Sequence, residues 1–500
     1  MAIHRPFILV LCILVCTANF LHAVNSANCR SSNDCNRQFI SDDCGNGCSA
    51  DGCSLDTPVS TFLRPRTITT DLTYRNDSTF YQKYHDGCCN FFTYDSAFIY
   101  QKNRRAACQG AGFFGTLPFT ISEQGGNMNA LNVGLGSRQP EGFESTFFFR
   151  PKREIFAWLN QFIFNLDCCL TGLWSDIAFA VVKAHNTLCI HDQISIPGEI
   201  NGVTNAQQAF RKLEVFGQQK HLGLDDIEVR LGWDYLYCDL DHVGFYLLGS
   251  IPTGKRFNNR RWLQPIVGSQ NGGLGAGFTA DNTLWDDECA QTAFLVMTEF
   301  KYQFKFPSHD LRMFDLKNGQ LSRFLLVARE PFPLRFAPVS ATTILGQCVR
   351  IEPRSTFDWW LAFHYQWCTW GFEVAYNLFY RDEEHLKPGC VNLGDFGIFD
   401  MTRCGNLTSH STALITDDFG VGTPDATFTR LTPADINFCS GRALKALSNK
   451  FSGSVSYNNI WCDCYPVNFA LALSYELPSR KHRSATLENW GVFGRFTISV

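Results

Sequence analysis

Between Phe357 and Tyr380 the chain alternates. Phe357, Trp359, Leu361, Phe363, Tyr365 and Trp367 are interleaved with Asp358, Trp360, Ala362, His364 and Gln366. Beyond Cys368 and Thr369, Trp370, Phe372, Val374, Tyr376, Leu378 and Tyr380 are interleaved with Gly371, Glu373, Ala375, Asn377 and Phe379. A period of two means strand, so the two runs predict a hairpin about a two-residue turn, pairing Trp367 with Trp370, Tyr365 with Phe372, Trp359 with Leu378 and Phe357 with Tyr380. Aromatics then gather at both ends of the hairpin, with Trp359, Tyr365, Trp367, Trp370, Phe372 and Tyr380 as girdle candidates. From Trp359 to Trp367 the strand covers roughly 27 Å, or about 20 Å along a membrane normal at ~40° tilt, close to the apolar band of an outer-membrane barrel.

The same two-faced pattern recurs. Ile227 to Tyr237, Phe294 to Phe306 and Val467 to Leu477 carry it strongly, and weaker copies run near Phe92 to Tyr100, Phe156 to Leu166, Ile177 to Lys183, Val243 to Ile251, Leu321 to Arg329 and Gly453 to Tyr457. Soluble β-sandwiches also alternate, but these runs exceed the usual strand length of about 5 to 6 residues. They also keep Glu299, Lys301 and Lys305 on one face only. Links are expected to be short after Asp167, Tyr237, Phe306, Trp367 and Asn458, and mostly long after Ala184, Pro252, Arg329, Tyr380 and Leu477. The expected fold is all-β: a transmembrane antiparallel up-and-down β-barrel of about 12 strands (range about 12–16) with short periplasmic turns and long outer loops. In that topology Trp367 and Trp370 lie at the periplasmic girdle, and the last strand, Trp490 to Val500, runs down to the periplasm.

The N-terminus adds an address. His4 and Arg5, the apolar run Phe7 to Val15 and the small residues around Ala23 to Ala27 read as a signal peptide, too short to span a bilayer. No later segment offers about 20 consecutive apolar residues. The expected division is therefore residues 1–27 as signal peptide, 28–88 as a cysteine-rich segment, periplasmic or plugging, and 89–500 as barrel. Of the 22 cysteines, Cys12 and Cys16 leave with the signal, and an even set in an exported chain reads as disulfides. Cys29, Cys35, Cys44, Cys48 and Cys53 sit in a polar stretch too poor in apolar residues for a core, and Cys390, Cys404 and Cys439 lie in the long stretch 381–449. A zinc site is the weaker reading of the first group, which lacks histidine and a second matched cysteine pair. The net charge of −4 implies no nucleic-acid partner.

Catalytic chemistry is mostly absent. Gly273-Leu-Gly275-Ala-Gly277 has the spacing of a dinucleotide loop without its strand and helix, and reads instead as glycines of a strand or loop. His364 and Glu373 pair across the hairpin and could form an acid–base couple, but a polar pair filling a lumen explains them without one. Glu228, Arg230, Asp234, Glu299, Lys301, Lys305, Asp358, His364, Glu373, Glu476 and Arg495 all fall on polar faces, which suits a mixed-charge lumen passing small hydrophilic solutes. Trp360 and Phe379, bulky on that same face, suggest a constricted or plugged lumen. The basic runs Lys255 to Arg261 and Arg480 to Arg483 map to outer loops, and Ala209, Phe210, Leu213 and Phe216 mark a short helical stripe.

Several short motifs carry a resemblance: Phe62-Leu-Arg-Pro-Arg66, Phe113-Phe-Gly115, Arg312-Met-Phe-Asp315, Asn318-Gly319, Ser322-Arg323, Tyr376-Asn377, Tyr475-Glu476 and Trp490-Gly491. With them the chain resembles the cysteine-rich, porin-like β-barrel outer-membrane proteins of intracellular bacteria of the Chlamydiae and especially Dependentiae type. The resemblance implies the outer membrane of a Gram-negative-type bacterium and an envelope stiffened by disulfides. The expected function is a porin-like channel, a structural envelope protein, or both, with no enzymatic activity, cofactor or metal. Its expected partners are outer-membrane lipid, the barrel-insertion machinery and other copies of itself. A surface adhesin using the long loops is a second class. A secreted disulfide-rich glycoprotein is a third, kept open by Asn76-Asp-Ser78 and Asn406-Leu-Thr408.

Overall fold

A computed structural model describes residues 60, 62–80, 91–104, 119–122, 127–133, 144–196, 208, 219–237, 241–254, 264–287, 289–317, 321–329, 338–389, 391–398, 430–461, 465–479 and 485–500. The signal peptide, the five N-terminal cysteines, Cys390, Cys404, both basic runs and the helical stripe lie outside the described residues. Twelve strands form the wall: β1 Phe92–Asn103, β2 Glu144–Asn165, β3 Leu173–Ile196, β4 Ile227–Tyr237, β5 His242–Ile251, β6 Gly273–Asp287, β7 Thr292–Lys305, β8 Arg354–Trp367, β9 Trp370–Arg381, β10 Ala446–Trp461, β11 Tyr465–Pro478 and β12 Asn489–Ser499. Each pairs antiparallel with its neighbour in sequence, and β12 returns to β1 in register from Thr93↔Ser499 to Asn103↔Asn489. Phe92 and Val500 exchange N–H···O bonds of 3.0 and 2.8 Å across that seam. The result is a closed twelve-stranded up-and-down barrel, and no described helix is long and apolar enough to cross a membrane.

The β8–β9 hairpin has the register that alternation predicts, with Trp367↔Trp370, Tyr365↔Phe372, His364↔Glu373, Trp359↔Leu378 and Phe357↔Tyr380. Its two-residue turn is made by Cys368, at φ 48°, and Thr369. Tyr365, Trp367, Trp370 and Phe372 are exposed on the outer face, where Trp359 and Tyr380 are half-buried. Outward apolar residues continue round the wall, among them Phe98, Trp158, Trp233, Leu247, Leu274, Phe300, Val374, Val455 and Leu471. Around this apolar belt Glu228, Arg230, Glu299, Lys301, Glu373 and Arg495 lie inside instead, inverting the arrangement of a soluble protein.

One expected strand is corrected, and another takes its place in the count: the glycine-rich stretch, left between strand and loop, opens β6, a wall strand. Leu321 to Arg329 is not in the wall: Ser322–Phe324 is a 3-10 turn, and Leu326–Arg329 joins Val339–Ser340 and Phe396–Ile398 in a separate sheet. Leu325, Leu326, Val327 and Ala328 are all buried, so that segment has no outward apolar face to give to a barrel. Consequently β7 runs toward the long-link end, opposite to the expected direction, because the short link is the one before Thr292 and the link after Lys305 is long.

That long link and the one after Arg381 build a cap over one end of the barrel. Ser308–Met313, Gly346–Glu352 and His385–Pro388 form a three-stranded sheet. Phe314, Leu316, Leu325, Val349 and Ile351 fill a hydrophobic core with Ile121 and Phe147. Asp315 accepts from Arg323 Nε and Nη2 at 2.7 and 2.9 Å, a bidentate pair that ties the cap together.

The β6 glycines answer to packing inside the wall. A Cβ on Gly277 would sit 2.0 Å from the Tyr246 ring, whose hydroxyl donates to Glu299 at 2.6 Å. Gly277→Ala is expected to cost about 1–3 kcal/mol through overpacking. Urea unfolding in detergent micelles checks this, and an unchanged midpoint would contradict the packing role.

Candidate functional site

Inside the wall runs the segment 62–80. With strands ~4.8 Å apart and tilted by ~40°, a twelve-stranded barrel measures roughly 24 Å between opposite backbones. Side chains from both sides leave room for about one helix, whose diameter with side chains is about 10–12 Å. The helix α1, Leu72–Asn76, occupies that space with all five residues buried, N-capped by Asp71, whose carboxylate accepts from Thr73 N at 3.1 Å.

Polar groups from most of the circumference converge on this segment. Arg75 donates to Asp176 of β3 and, at 3.1 Å, to Glu228 of β4. Glu228 also accepts from Arg230 at 2.8 Å, and Arg230 reaches Glu299 of β7 at 2.8 Å. Asn76 donates to Glu299 at 2.7 Å, and Lys301 reaches the Thr70 carbonyl. On the opposite side Arg66 pairs with Asp358 and donates to Asn377 at 2.7 Å, and Lys450 pairs with Asp71 and, at 3.5 Å, with Glu476. Arg495 donates to the carbonyls of Asp77, at 2.6 Å, and Tyr74, while Glu373 accepts from Ser78 N at 3.0 Å.

One apolar contact completes the fit. Phe80 stacks on Trp360 with ring centroids 5.4 Å apart, and Trp360 Nε1 donates to Asp77 Oδ1 at 2.8 Å. The residual space beside Arg66, Asp71, Gln101, Arg153 and Glu476 is about 30 Å³, room for about one water. The lumen is filled at this level.

The plug's own acids are shifted in opposite directions. Burial pushes the Asp77 carboxyl up to about 8, with the nearby Glu373 carboxylate adding to the shift and Arg495 opposing it. Burial would also raise Asp71, but Arg66 and Lys450 outweigh it and hold that carboxyl below its ordinary range.

All eleven polar residues singled out from the alternation are buried. Glu228, Arg230, Glu299 and Lys301 form one cluster. Asp358, Glu373 and Arg495 contact the plug directly, whereas Glu476 reaches it through Lys450. Asp234, Lys305 and His364 stand apart. Asp234 binds His242 at 2.9 Å, Lys305 Nζ lies 3.6 Å from Asp226, and His364 Nδ1 lies 3.3 Å from Glu373 Oε2. Of the cysteines named as disulfide candidates only Cys439 is described, and it is buried. Asn76 is buried in the lumen, which removes it as a glycan acceptor.

Sequence reasoning missed Lys450, Asp176, His242 and the plug residues Arg66, Asp71, Arg75 and Asp77. Lys450 had a signal, since Ser448, Lys450, Ser452, Ser454 and Ser456 alternate as the polar face of β10. Trp360 and Phe379 pointed to a filled lumen, but nothing singled out the plug residues themselves, because a five-residue helix shows no periodicity. Among the described residues no group of three His, Cys, Asp or Glu is placed to hold a metal ion.

No protein-family model and no curated protein matches the chain. Among solved structures it is similar to an outer membrane channel from Pseudomonas putida F1, at 9% identity over 83% of this chain and 97% of that one, with a TM-score of 0.39. It is also similar to a Pseudomonas aeruginosa FadL homologue, at 8% identity over 82% and 88%, TM-score 0.27, and to the NanC porin, at 9% over 71% and 98%, TM-score 0.26. The barrel assignment rests on strand register rather than on these likenesses.

Proposed function

We propose that this protein is an outer-membrane channel for small hydrophilic solutes, held closed by the segment 62–80. The observation that carries this reading is where the inner charges go: they reach from the wall to a single separable segment. A permanently sealed twelve-stranded barrel could be filled with apolar side chains at no greater cost than buried ion pairs. A polar wall facing a polar plug, by contrast, is stable both with the plug seated and with water in its place. The test is planar-bilayer recording of the full chain. Brief or rare conductance steps, and swelling of loaded liposomes by small sugars, support the channel; their absence even after the plug is loosened overturns it.

The belt of outward apolar residues supports the membrane location. Val374, 66% exposed near the middle of β9, is expected to face lipid. Val374→Arg should cost about 2–4 kcal/mol at midplane and reduce the heat-modifiable, membrane-extracted fraction severalfold. Normal assembly of that variant would contradict the lipid-facing placement.

The cap favours a second reading. Its hydrophobic core closes the long-link end with a folded surface, as a structural envelope protein or a loop-borne adhesin requires. Silence in the bilayer from plug-loosened protein, together with binding of the full chain to cells, would select it.

A further inference from the structure

Where β12, β1, β2 and β3 meet, the outer face carries a groove of about 430 Å³. Its cause is one missing side chain. Gly494 lies outward beside Phe98, 65% exposed, which stacks on Trp158 at 5.9 Å with the rings 1° from parallel. In the next row up, Tyr100, Phe156 and Leu222 wall the groove and Lys183 closes it. A Cβ on Gly494 would meet only the Ala470 carbonyl oxygen, at 4.0 Å, so wall packing does not demand a glycine there.

Above the groove the apolar surface ends in a basic row. Lys102, Glu154, His185 and Lys220 occupy consecutive cross-strand positions, and the exposed Lys152 stands one step higher on β2. Glu154 is bound at 2.7 Å by Lys102 and lies 3.9 Å from His185, which among the described residues of this row leaves Lys152, Lys183 and Lys220 in excess of one carboxylate. Lys183 stands about ten residues up β3 from Leu173, roughly 25 Å along the normal at ~40° tilt, at the upper margin of an apolar belt about 25 Å tall. Snorkelling lysines over an acyl-sized slot at that height are complementary to an anionic headgroup with its chain below.

We propose that this groove binds a membrane lipid with a net anionic, phosphate-bearing headgroup, one acyl chain lying between Phe98, Phe156 and Leu222 and its phosphate held by Lys183 and Lys220. The site rests on the membrane reading given above, and it commits to a lipid rather than to free phosphate because the basic groups are continuous with the apolar slot.

The test is native mass spectrometry of the full chain in detergent, titrated separately with a diphosphorylated lipid A, with zwitterionic phosphatidylethanolamine and with inorganic phosphate. Lipid A is expected to remain as a single adduct at least tenfold more abundant than the zwitterionic lipid, and not to be displaced by millimolar inorganic phosphate. Two variants act on different parts of the site: Lys183→Gln with Lys220→Gln removes the charge, and Gly494→Leu fills the slot. Each should lower lipid A occupancy about tenfold. Equal retention by both variants, equal retention of the zwitterionic lipid, or displacement by inorganic phosphate overturns the proposal. Heat-modifiable migration of the same samples separates the two readings: a heat-modifiable barrel without selective retention sinks only the lipid site, whereas a chain soluble without detergent sinks the membrane reading with it.

Discussion

Arg75→Ala is expected to turn a closed barrel into a conducting one. Arg75 is fully buried and faces two carboxylates, Asp176 and Glu228, on adjacent wall strands. Removing one partner of a buried ionic cluster leaves uncompensated charge and costs about 3–5 kcal/mol. The wall has a cheaper response than unfolding: the plug leaves and water solvates the acids. A five-residue helix has no stability of its own to oppose this. At about 1.4 kcal/mol per decade, the seated-to-released ratio should fall by roughly 10²–10⁴. Single-channel recording should show open probability rising at least tenfold over the full-length parent, with heat-modifiable migration unchanged. A variant that stays heat-modifiable and silent would show that the segment is a fixed filling and not a gate.

Raising pH should open the same channel, through Asp77. Its carboxyl is held at about 8 when the plug is seated, against about 3.9 for an aspartate in water. The seated state therefore binds the proton more tightly than the released state does. Seating is fully favoured below about pH 4 and weakens by about 1.4 kcal/mol per pH unit up to about pH 8, beyond which it changes no further. Glu373 with His364 behind it, Arg495 and Trp360 are the groups facing Asp77 from β9, β8 and β12. Conductance at pH 8.5 is expected to exceed that at pH 5 by at least tenfold. Asp77→Asn keeps the shape and removes the titration, so its profile should be flat. A pH response that survives in Asp77→Asn would overturn the assignment to Asp77.

Much of the wall was legible because barrel strands obey a local rule. In the β8–β9 hairpin, period-two alternation and a two-residue turn determine both register and facing, and five predicted pairs, from Trp367↔Trp370 to Phe357↔Tyr380, are observed. The rule fails where a strand lacks contrast between its faces. The start of β6 is mostly glycine and alanine; at Gly277 the Tyr246 ring occupies the space a side chain would need, and at Gly273 and Gly275 the carbonyls of Phe304 and Tyr302 on β7 do. Leu321 to Arg329 misled in the opposite way, being apolar enough for a strand yet buried from Leu321 to Ala328 in the cap.

The scattered short motifs show a different limit. Phe62 to Arg66, Arg312 to Asp315, Ser322-Arg323 and Tyr376-Asn377 are far apart in the chain, and none suggested a site. In space they meet at the junction of plug, cap and wall. The Arg312 guanidinium lies 3.5 Å over the Phe62 ring, Arg64 and Arg312 share Glu384 at 2.7 and 3.3 Å, and Arg66 reaches Asn377 at 2.7 Å. Each motif supplies one half of a contact whose other half lies elsewhere in the chain.

The sequence by itself therefore determined most of which residues face in and which face out, because alternation is a property of consecutive residues and the two faces of a barrel wall meet environments of opposite polarity. Only the tertiary structure decided what the inner face meets. The charges of β3, β4, β7, β8, β9, β10 and β12 act on a segment that precedes all of them, and ion pairs between residues one hundred to four hundred positions apart leave no local trace. That is why a polar inner face could be read from the chain and a plug could be allowed for, while the residues that form the plug and their partners on the wall could not.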